Sequence, residues 1–161
     1  MPLWFTLLCA ASVIAYAVAG GVLLAFSDFL MRSFDRISDR GGIEAMQIIN
    51  VEILRSVFML LSGGVAIVST VIVIAAALIA DGAPRLLLIL AGCLYLLGAV
   101  GLTVIGNVPL NNRLAALDPK SADARGFWKQ TYMTRWVNLN SLRTAACMIA
   151  SGSTLGALLM D

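Results

Sequence analysis

Residues 56–80, SVFMLLSGGVAIVSTVIVIAAALIA, decide the fold of this chain. No charged side chain interrupts the stretch, and it is longer than the roughly 20 apolar residues that a helix needs to cross a bilayer core of ~30 Å. A lipid-embedded backbone must satisfy its own hydrogen bonds, which a helix does within one segment. The stretch therefore predicts a transmembrane helix.

Three further stretches have the same character. Residues 2–27 and 86–112 carry no charge, and residues 136–160 carry only Arg143, near their start. Hydrophobic residues make up 60% of the chain and charged residues 12%, against about 25% charged in an average soluble domain. The sequence predicts an all-α protein with a single integral membrane domain over residues 1–161, folded as a four-transmembrane-helix bundle.

The basic residues indicate how the bundle is oriented. Ten of the eleven lie in two segments, residues 28–55 and residues 113–143, and the remaining one, Arg85, follows a short turn. The positive-inside rule places both segments in the cytoplasm and both termini outside. We expect an integral protein of a bacterial inner (plasma) membrane.

The two long connections are predicted to be helical. Gly41–Gly42 is typical of a break, after which residues 43–55 run into span two without proline or glycine. Ser121 or Asp123 could cap a helix that continues into span four. Helices 2 and 4 are therefore predicted to extend into the cytoplasm and to pack side by side there.

Several classes of function are disfavoured by composition. The chain has no histidine, the commonest ligand for zinc, copper and haem iron, so neither a metal nor another cofactor is expected. It has no phosphate-binding loop, dinucleotide fingerprint or nucleophile elbow. A net charge of +2 without a basic run argues against nucleic acid as a partner. Cys9, Cys93 and Cys147 lie in apolar stretches and are predicted to be small buried side chains.

The first candidate site lies before span two. Gln47 and Asn50 are three residues apart and share a helix face. Glu52 and Arg55 share another face, which predicts either a structural ion pair or a carboxylate at the mouth of a pocket. In the second case Glu52 would act as a base.

The second candidate site ends span three. Pro109 removes a backbone donor and disfavours helix for the residue before it, so freed carbonyl groups need partners. Asn107 and Asn111 either satisfy that helix end or donate an amide hydrogen to a ligand oxygen.

The third candidate site is a stripe on the last helix. Steps of four, four, four and three residues place five side chains near one line: Trp128, Tyr132, Trp136, Asn140 and Arg143. The aromatic residues form either a membrane-interface belt or the wall of a pocket. A wall that ends in an amide and a guanidinium suits a flat aromatic ligand with oxygens along one edge.

These motifs resemble one known family. Residues 45–50 (AMQIIN), residues 107–111 (NVPLN) with Leu114 and residues 118–119 (DP), and Trp136 with residues 140–144 (NSLRT) are similar to the anthrone oxygenase-like family, small four-helix membrane proteins mostly of unknown function. The resemblance implies a link to the oxidation of anthrones to anthraquinones without an obvious cofactor. Many members carry histidine directly after the late asparagine, where this chain has Ser141.

The sequence leaves three functions open. The first is a membrane protein that binds a small amphipathic or aromatic molecule through Gln47, Asn50, Asn107, Asn111, Tyr132, Trp136 and Asn140. The second is a cofactor-independent oxygenase in which Glu52 removes a proton and Arg143 stabilises the resulting oxyanion. The third is an accessory subunit or small transporter. A homo-oligomer also stays open, because the pair Gly152 and Gly156 suits either dimerisation or packing within one bundle.

Overall fold

The fold is given by a computed structural model, which describes residues 1–160 apart from the side chain of Asp39. Its helices are α1 (Leu3–Ile37), α2 (Asp39–Glu52), α3 (Val57–Ile79), α4 (Gly82–Ala115) and α5 (Ala122–Leu159). Within residues 1–160, α1, α3, α4 and α5 are long and apolar enough to cross a membrane. The predicted all-α, four-transmembrane-helix fold is confirmed. We call the end that holds residues 28–55 and 112–136 the charged end.

Helix α1 is separated from α2 by a single serine, so the predicted helix break at Gly41–Gly42 is wrong. Ser38 is extended (φ −173°, ψ 155°), and its hydroxyl oxygen accepts the Gly41 N–H at 3.0 Å. A Cβ atom at Gly42 would lie 2.8 Å from the Phe34 carbonyl oxygen and 2.9 Å from the Trp128 ring. Gly42 therefore permits a close approach inside α2 instead of ending a helix.

A second break, which the sequence did not predict, separates α2 from α3. The chain tightens into a 3₁₀ turn over Ile53–Arg55, and Ser56 is then extended with ψ 158°. The Ser56 hydroxyl oxygen accepts the Met59 N–H at 3.2 Å and so caps α3. Glu52 and Arg55 are both exposed, and no ion pair joins them in the described part of the chain. The extension of span two is thus a helix in its own right.

Pro109 does not break α4, although the sequence indicated that it would. Val108, directly before it, is helical (φ −59°, ψ −46°), and the π-helical turn Thr103–Asn107 precedes both residues. A π turn is wider than an α turn, so it leaves room for the proline ring where an α-helix would suffer a clash. Span three therefore continues without interruption to Ala115.

Helix α5 begins as predicted. The Ser121 hydroxyl oxygen accepts the Ala124 N–H at 3.0 Å, which confirms Ser121 as the cap. The helix then continues through the π-helical turn Trp128–Trp136 into span four. At the charged end Ile43 and Met46 of α2 pack in one cluster with Trp128 and Tyr132 of α5. The predicted pairing of the extensions of spans two and four is therefore confirmed.

The core consists of three buried clusters arranged along the bundle. The cluster at the charged end contains aromatic side chains of α5, the middle one contains Tyr16 and Tyr95, and the opposite one contains Phe5 and Leu88. Cys9 and Cys147 are buried as predicted, whereas Cys93 is half-buried. Large apolar side chains are exposed around the outside of the helices, as a lipid-facing surface requires.

The pair Gly152 and Gly156 serves internal packing in part. A Cβ atom at Gly156 would lie 3.6 Å from Leu87 of α4, an ordinary contact inside the bundle. Gly152 faces away, with no atom within 4 Å of an added Cβ. The two glycines therefore differ in their surroundings.

We predict that Gly92→Ala destabilises the bundle. A Cβ atom at this position would collide with the Val73 side chain and would lie 2.9 Å from the Ser69 carbonyl oxygen. The backbone of α3 must move to relieve this contact, and overpacking of this kind costs about 1–3 kcal/mol. The expected result is a lower melting temperature of the protein in detergent. Gly63→Ala is the control, because no atom lies within 4 Å of its added Cβ; equal melting temperatures for the two variants would contradict the prediction.

Candidate functional site at the charged end

Three aromatic rings of α5 form a continuous stack inside the bundle. The Trp128 and Tyr132 ring centroids are 5.4 Å apart at 15°, and those of Tyr132 and Trp136 are 5.7 Å apart at 18°. All three side chains are buried among α1, α2 and α4. The three aromatic side chains of the predicted stripe lie on one line of the helix. They face the protein interior, whereas a membrane-interface belt would face the lipid.

Asn111 holds two of these rings. Its Oδ1 atom accepts the Tyr132 hydroxyl at 2.8 Å and the Trp136 Nε1–H at 2.8 Å. The Asn50 Nδ2 atom lies 3.4 Å from the Tyr132 oxygen, which is a long hydrogen bond. The structure therefore brings Asn50, Asn111, Tyr132 and Trp136 into one network, whose members bond mainly to one another.

Gln47 closes the end of α4. Its Nε2 atom donates to the carbonyl oxygens of Leu114 at 2.8 Å and Leu117 at 2.9 Å. The Leu114 carbonyl also accepts the Leu117 N–H at 3.2 Å, so the amide adds a second donor at the end of the helix. Both amide hydrogens are used in this way, which leaves none for a ligand.

The outer end of the stack is tied to α1 by a carboxylate. Asp35 Oδ1 accepts the Trp128 Nε1–H at 3.1 Å and pairs with the Lys129 Nζ atom at 2.8 Å. Asp35 lies beyond the apolar segment 2–27, and the hydrogen bond from Lys129 lowers the pKa of its carboxyl group. The carboxylate thus fixes α1 against the start of α5.

Asn140 connects α1 with Arg143. Its Nδ2 atom donates to the Leu23 carbonyl oxygen and to the Ser27 hydroxyl oxygen, both at 2.7 Å. Its Oδ1 atom accepts the Arg143 Nη1–H at 3.1 Å. Asn140 is fully buried, so the amide positions the guanidinium and is itself shielded. Sequence reasoning missed Ser27, because a serine at the end of an apolar run carries no signal of its partner.

Arg143 is a cation inside the bundle without a carboxylate partner among the described residues. Its Nε atom is buried and has no hydrogen-bond partner. Tyr95 and Cys147 are its electrostatic neighbours, and neither carries a charge of opposite sign as a neutral phenol or thiol. A buried charge without a counter-charge is costly, and such residues in membrane segments mark functional sites by default.

Asn107 has the second unsatisfied atom. Its side chain is 1% exposed, and its Nδ2 atom donates to the Trp136 carbonyl oxygen at 3.2 Å. Its Oδ1 atom is buried without a partner. An amide oxygen left in this state accepts a hydrogen bond from whatever donor enters beside it.

The residues that carry the two unsatisfied atoms lie within about two helical turns of each other along the bundle. Added Cβ atoms show that Gly98 faces Ala146 and Gly106 faces Leu139, so α4 and α5 run antiparallel in a fixed register. Asn107 therefore lies near the level of Asn140, toward which the Arg143 side chain reaches. At 1.5 Å per residue Asn107 lies about 3 Å from the level of Asn140 and about 7.5 Å from the level of the Arg143 Cα atom.

Glu52 and Arg143 are not brought together. Glu52 is exposed at the end of α2, and no hydrogen bond or ion pair joins it to Arg143 in residues 1–160. The role of Glu52 as a base stays a prediction. The same residues contain no group of three side chains that could hold a metal ion.

Two open cavities lie elsewhere on the bundle. One of about 390 Å³ is lined at the charged end by residues that include Arg113, Asp123, Phe127 and Gln130, with the Arg113 guanidinium 4.5 Å from the Phe127 ring centroid. The other, of about 210 Å³, is an apolar groove between α1 and α3. None of the predicted site residues lines either cavity.

Comparison with known proteins gives one family. A sequence profile described as anthrone oxygenase matches residues 54–153, more than half of the chain. The match includes Asn107, Asn111, Trp136, Asn140 and Arg143. No curated protein and no solved structure matches the chain.

We predict that Asn111→Leu destabilises the charged end. The substitution leaves the Tyr132 hydroxyl and the Trp136 N–H without their acceptor, and each buried donor left unsatisfied costs about 1–3 kcal/mol. The measurement is thermal unfolding in detergent. Asn112→Leu is the matched control, since its side chain is exposed. The prediction fails if both variants unfold at the same temperature.

Proposed function

The chain belongs to the anthrone oxygenase family, and from this premise we propose that it binds a small planar aromatic molecule whose ionised oxygen pairs with Arg143. The ligand class follows from the charge and from the neighbouring rings. A phenolate or an enolate supplies one negative oxygen and has a flat apolar body, which suits a site bounded by aromatic side chains.

One observation carries this proposal. Arg143 is half-buried, its Nε atom is buried without a partner, and no carboxylate among the described residues neutralises it. An arginine at the centre of a membrane helix costs about 3 kcal/mol on insertion scales, and the cost for Arg143 is smaller because it lies near the start of span four. An anionic ligand offsets that cost by supplying the missing counter-charge and the missing acceptor.

Asn107 supports the same ligand from α4. Its Oδ1 atom accepts hydrogen bonds only, so it matches a neutral hydroxyl group and not an ionised oxygen. A polyhydroxylated aromatic presents both kinds of oxygen along one edge. Asn107 and Arg143 together would then select an edge that carries one hydroxyl and one oxyanion.

Oxygenation without a cofactor is the second candidate function, and the family match favours it. In such a reaction a base removes a proton from the ring CH₂ of an anthrone, and the enolate passes electrons to O₂. One oxygen atom becomes the new ring carbonyl, and the other leaves as water with the two hydrogens of the CH₂ group. Arg143 would hold the enolate oxygen throughout, and Glu52 is the proposed base.

The test of binding uses the intact protein in lipid nanodiscs with alizarin, a dihydroxyanthraquinone whose absorption shifts on ionisation. We expect the wild type to bind the ionised form and Arg143→Gln to bind it at least about tenfold more weakly, a loss of ~1.4 kcal/mol or more. Arg125→Gln is the control, since it removes an exposed positive charge from the same end. Equal affinities for wild type and Arg143→Gln would refute the binding proposal.

The test of chemistry supplies anthrone and O₂ to the same preparation and follows anthraquinone by absorbance. Faster oxidation than in empty nanodiscs, lost in Arg143→Gln, supports the oxygenase function. Equal rates for wild type and Glu52→Gln would remove Glu52 as the base. Binding that depends on Arg143, without accelerated oxidation, would identify a binding protein.

We further propose that the charged end faces the cytoplasm of a bacterial inner membrane, because ten of the eleven basic residues lie in the segments 28–55 and 113–143. Cysteines introduced for Ala83 and for Lys120, both exposed, test this orientation. A membrane-impermeant maleimide added to intact cells should label position 83 only. Ala83 is preferable to Gly82, whose φ of +59° suits glycine. Labelling of position 120 alone would invert the orientation.

A further inference from the structure

Helix α2 has an apolar face that no other helix covers. Ile48 is 62% exposed and Val51 57% exposed, whereas Ile43 and Met46 are fully buried against α5. Residues 48 and 51 are three apart, so they lie on one side of the helix, away from the buried pair. In an aqueous setting this face would have no apolar contact.

The path of the chain makes α2 independent of span two. Ser38 and Ser56 are both extended, so each end of α2 is free to change direction relative to the neighbouring helix. The 23 residues of α3 already extend about 34 Å, enough to cross a hydrocarbon core of ~30 Å. A collinear α2 would therefore carry Ile48 and Val51 away from the lipid into water.

The exposed face of α2 leads along the chain into exposed apolar residues of α3. Leu54 is 65% exposed, and Val57 and Leu60 in the first turn of α3 are exposed as well. The opposite end of the same face is polar, because Arg40 and Glu44 form an ion pair at 2.8 Å. The apolar part thus lies next to the membrane span, and the polar part lies farthest from it.

We propose that α2 slants out of the charged-end surface of the bilayer, so that Ile48, Val51 and Leu54 insert into the boundary between lipid headgroups and acyl chains while the end with Arg40 and Glu44 lies in the hydrated headgroup layer. This is the arrangement of an interfacial amphipathic helix, whose binding scales with its buried apolar area. The flanking Arg40 and Arg55 side chains reach the headgroup phosphates. The partner of this surface is the lipid leaflet itself, and the proposal is independent of any ligand.

This placement gives α2 two covered faces. Ile43 and Met46 pack on the aromatic stack of α5, and Gln47 closes the end of α4. The part of the opposite face next to span two rests on acyl chains. Helix α2 therefore separates the stack from the leaflet, and the stack lies at the depth of the membrane surface.

The experiment uses the full chain with Cys93→Ala in phosphatidylcholine nanodiscs, since Cys9 and Cys147 are buried and escape labelling. A nitroxide label is placed in separate variants at Ile48→Cys, Val51→Cys and Glu44→Cys. Position 44 is the matched control, because it lies one turn before position 48 on the same face. Collision with O₂, which concentrates in lipid, is compared with collision with a water-soluble nickel chelate.

We expect the labels at positions 48 and 51 to collide mainly with O₂, and the label at position 44 mainly with the nickel chelate. Equal nickel access at positions 44 and 48 would place α2 in water and overturn the proposal. Exclusion of both reagents at positions 48 and 51 would show that protein covers the face, such as a second copy of this chain, and would also overturn it. The Val51 label keeps the test decisive if one variant fails to fold.

Discussion

The structure depends on one constraint, that every backbone carbonyl in or near the lipid must find a donor. Near π turns and helix ends, side-chain amides add donors from neighbouring helices; the Leu23 carbonyl, for example, accepts both the Phe26 N–H and the Asn140 amide. Asn140 donates to Leu23, Asn107 donates to Trp136, and Gln47 donates to two carbonyls at the end of α4. Each of these bonds joins two different helices, so the same bonds that satisfy the backbone also hold the bundle together.

Arg143 is exceptional within this scheme. The amide N–H groups around it are used in internal bonds, whereas its Nε atom, like Asn107 Oδ1, is left buried and unsatisfied. A residue kept only for packing could be replaced by an apolar side chain of similar volume at little cost. The arginine is instead fastened by Asn140, which is itself fixed to α1 at two points. The protein thus holds an unneutralised charge in a defined position, which is an arrangement that suits recognition better than stability.

The four spans followed from apolar length alone, and the stripe from Trp128 to Asn140 followed from helical spacing, because both depend on local periodicity. The helix breaks at Ser38 and Ser56 escaped prediction, because a serine in the sequence does not by itself show whether it caps a helix. The π turn before Pro109 was also hidden, although it is what keeps α4 continuous. At the site, residue types indicated which side chains make polar contacts, but the bond from Asn140 to Ser27 spans 113 positions and left no local signal.

The aromatic stack also gives the molecule an optical signature. Two of its three tryptophans, Trp128 and Trp136, are buried on either side of Tyr132, while Trp4 is exposed near the other end of α1. The two buried tryptophans absorb light through rings that are held nearly parallel to the Tyr132 ring and shielded from water. Their ellipticity and emission therefore report the packing of α2 and α5 directly, and Trp4 serves as a reference chromophore within the same chain.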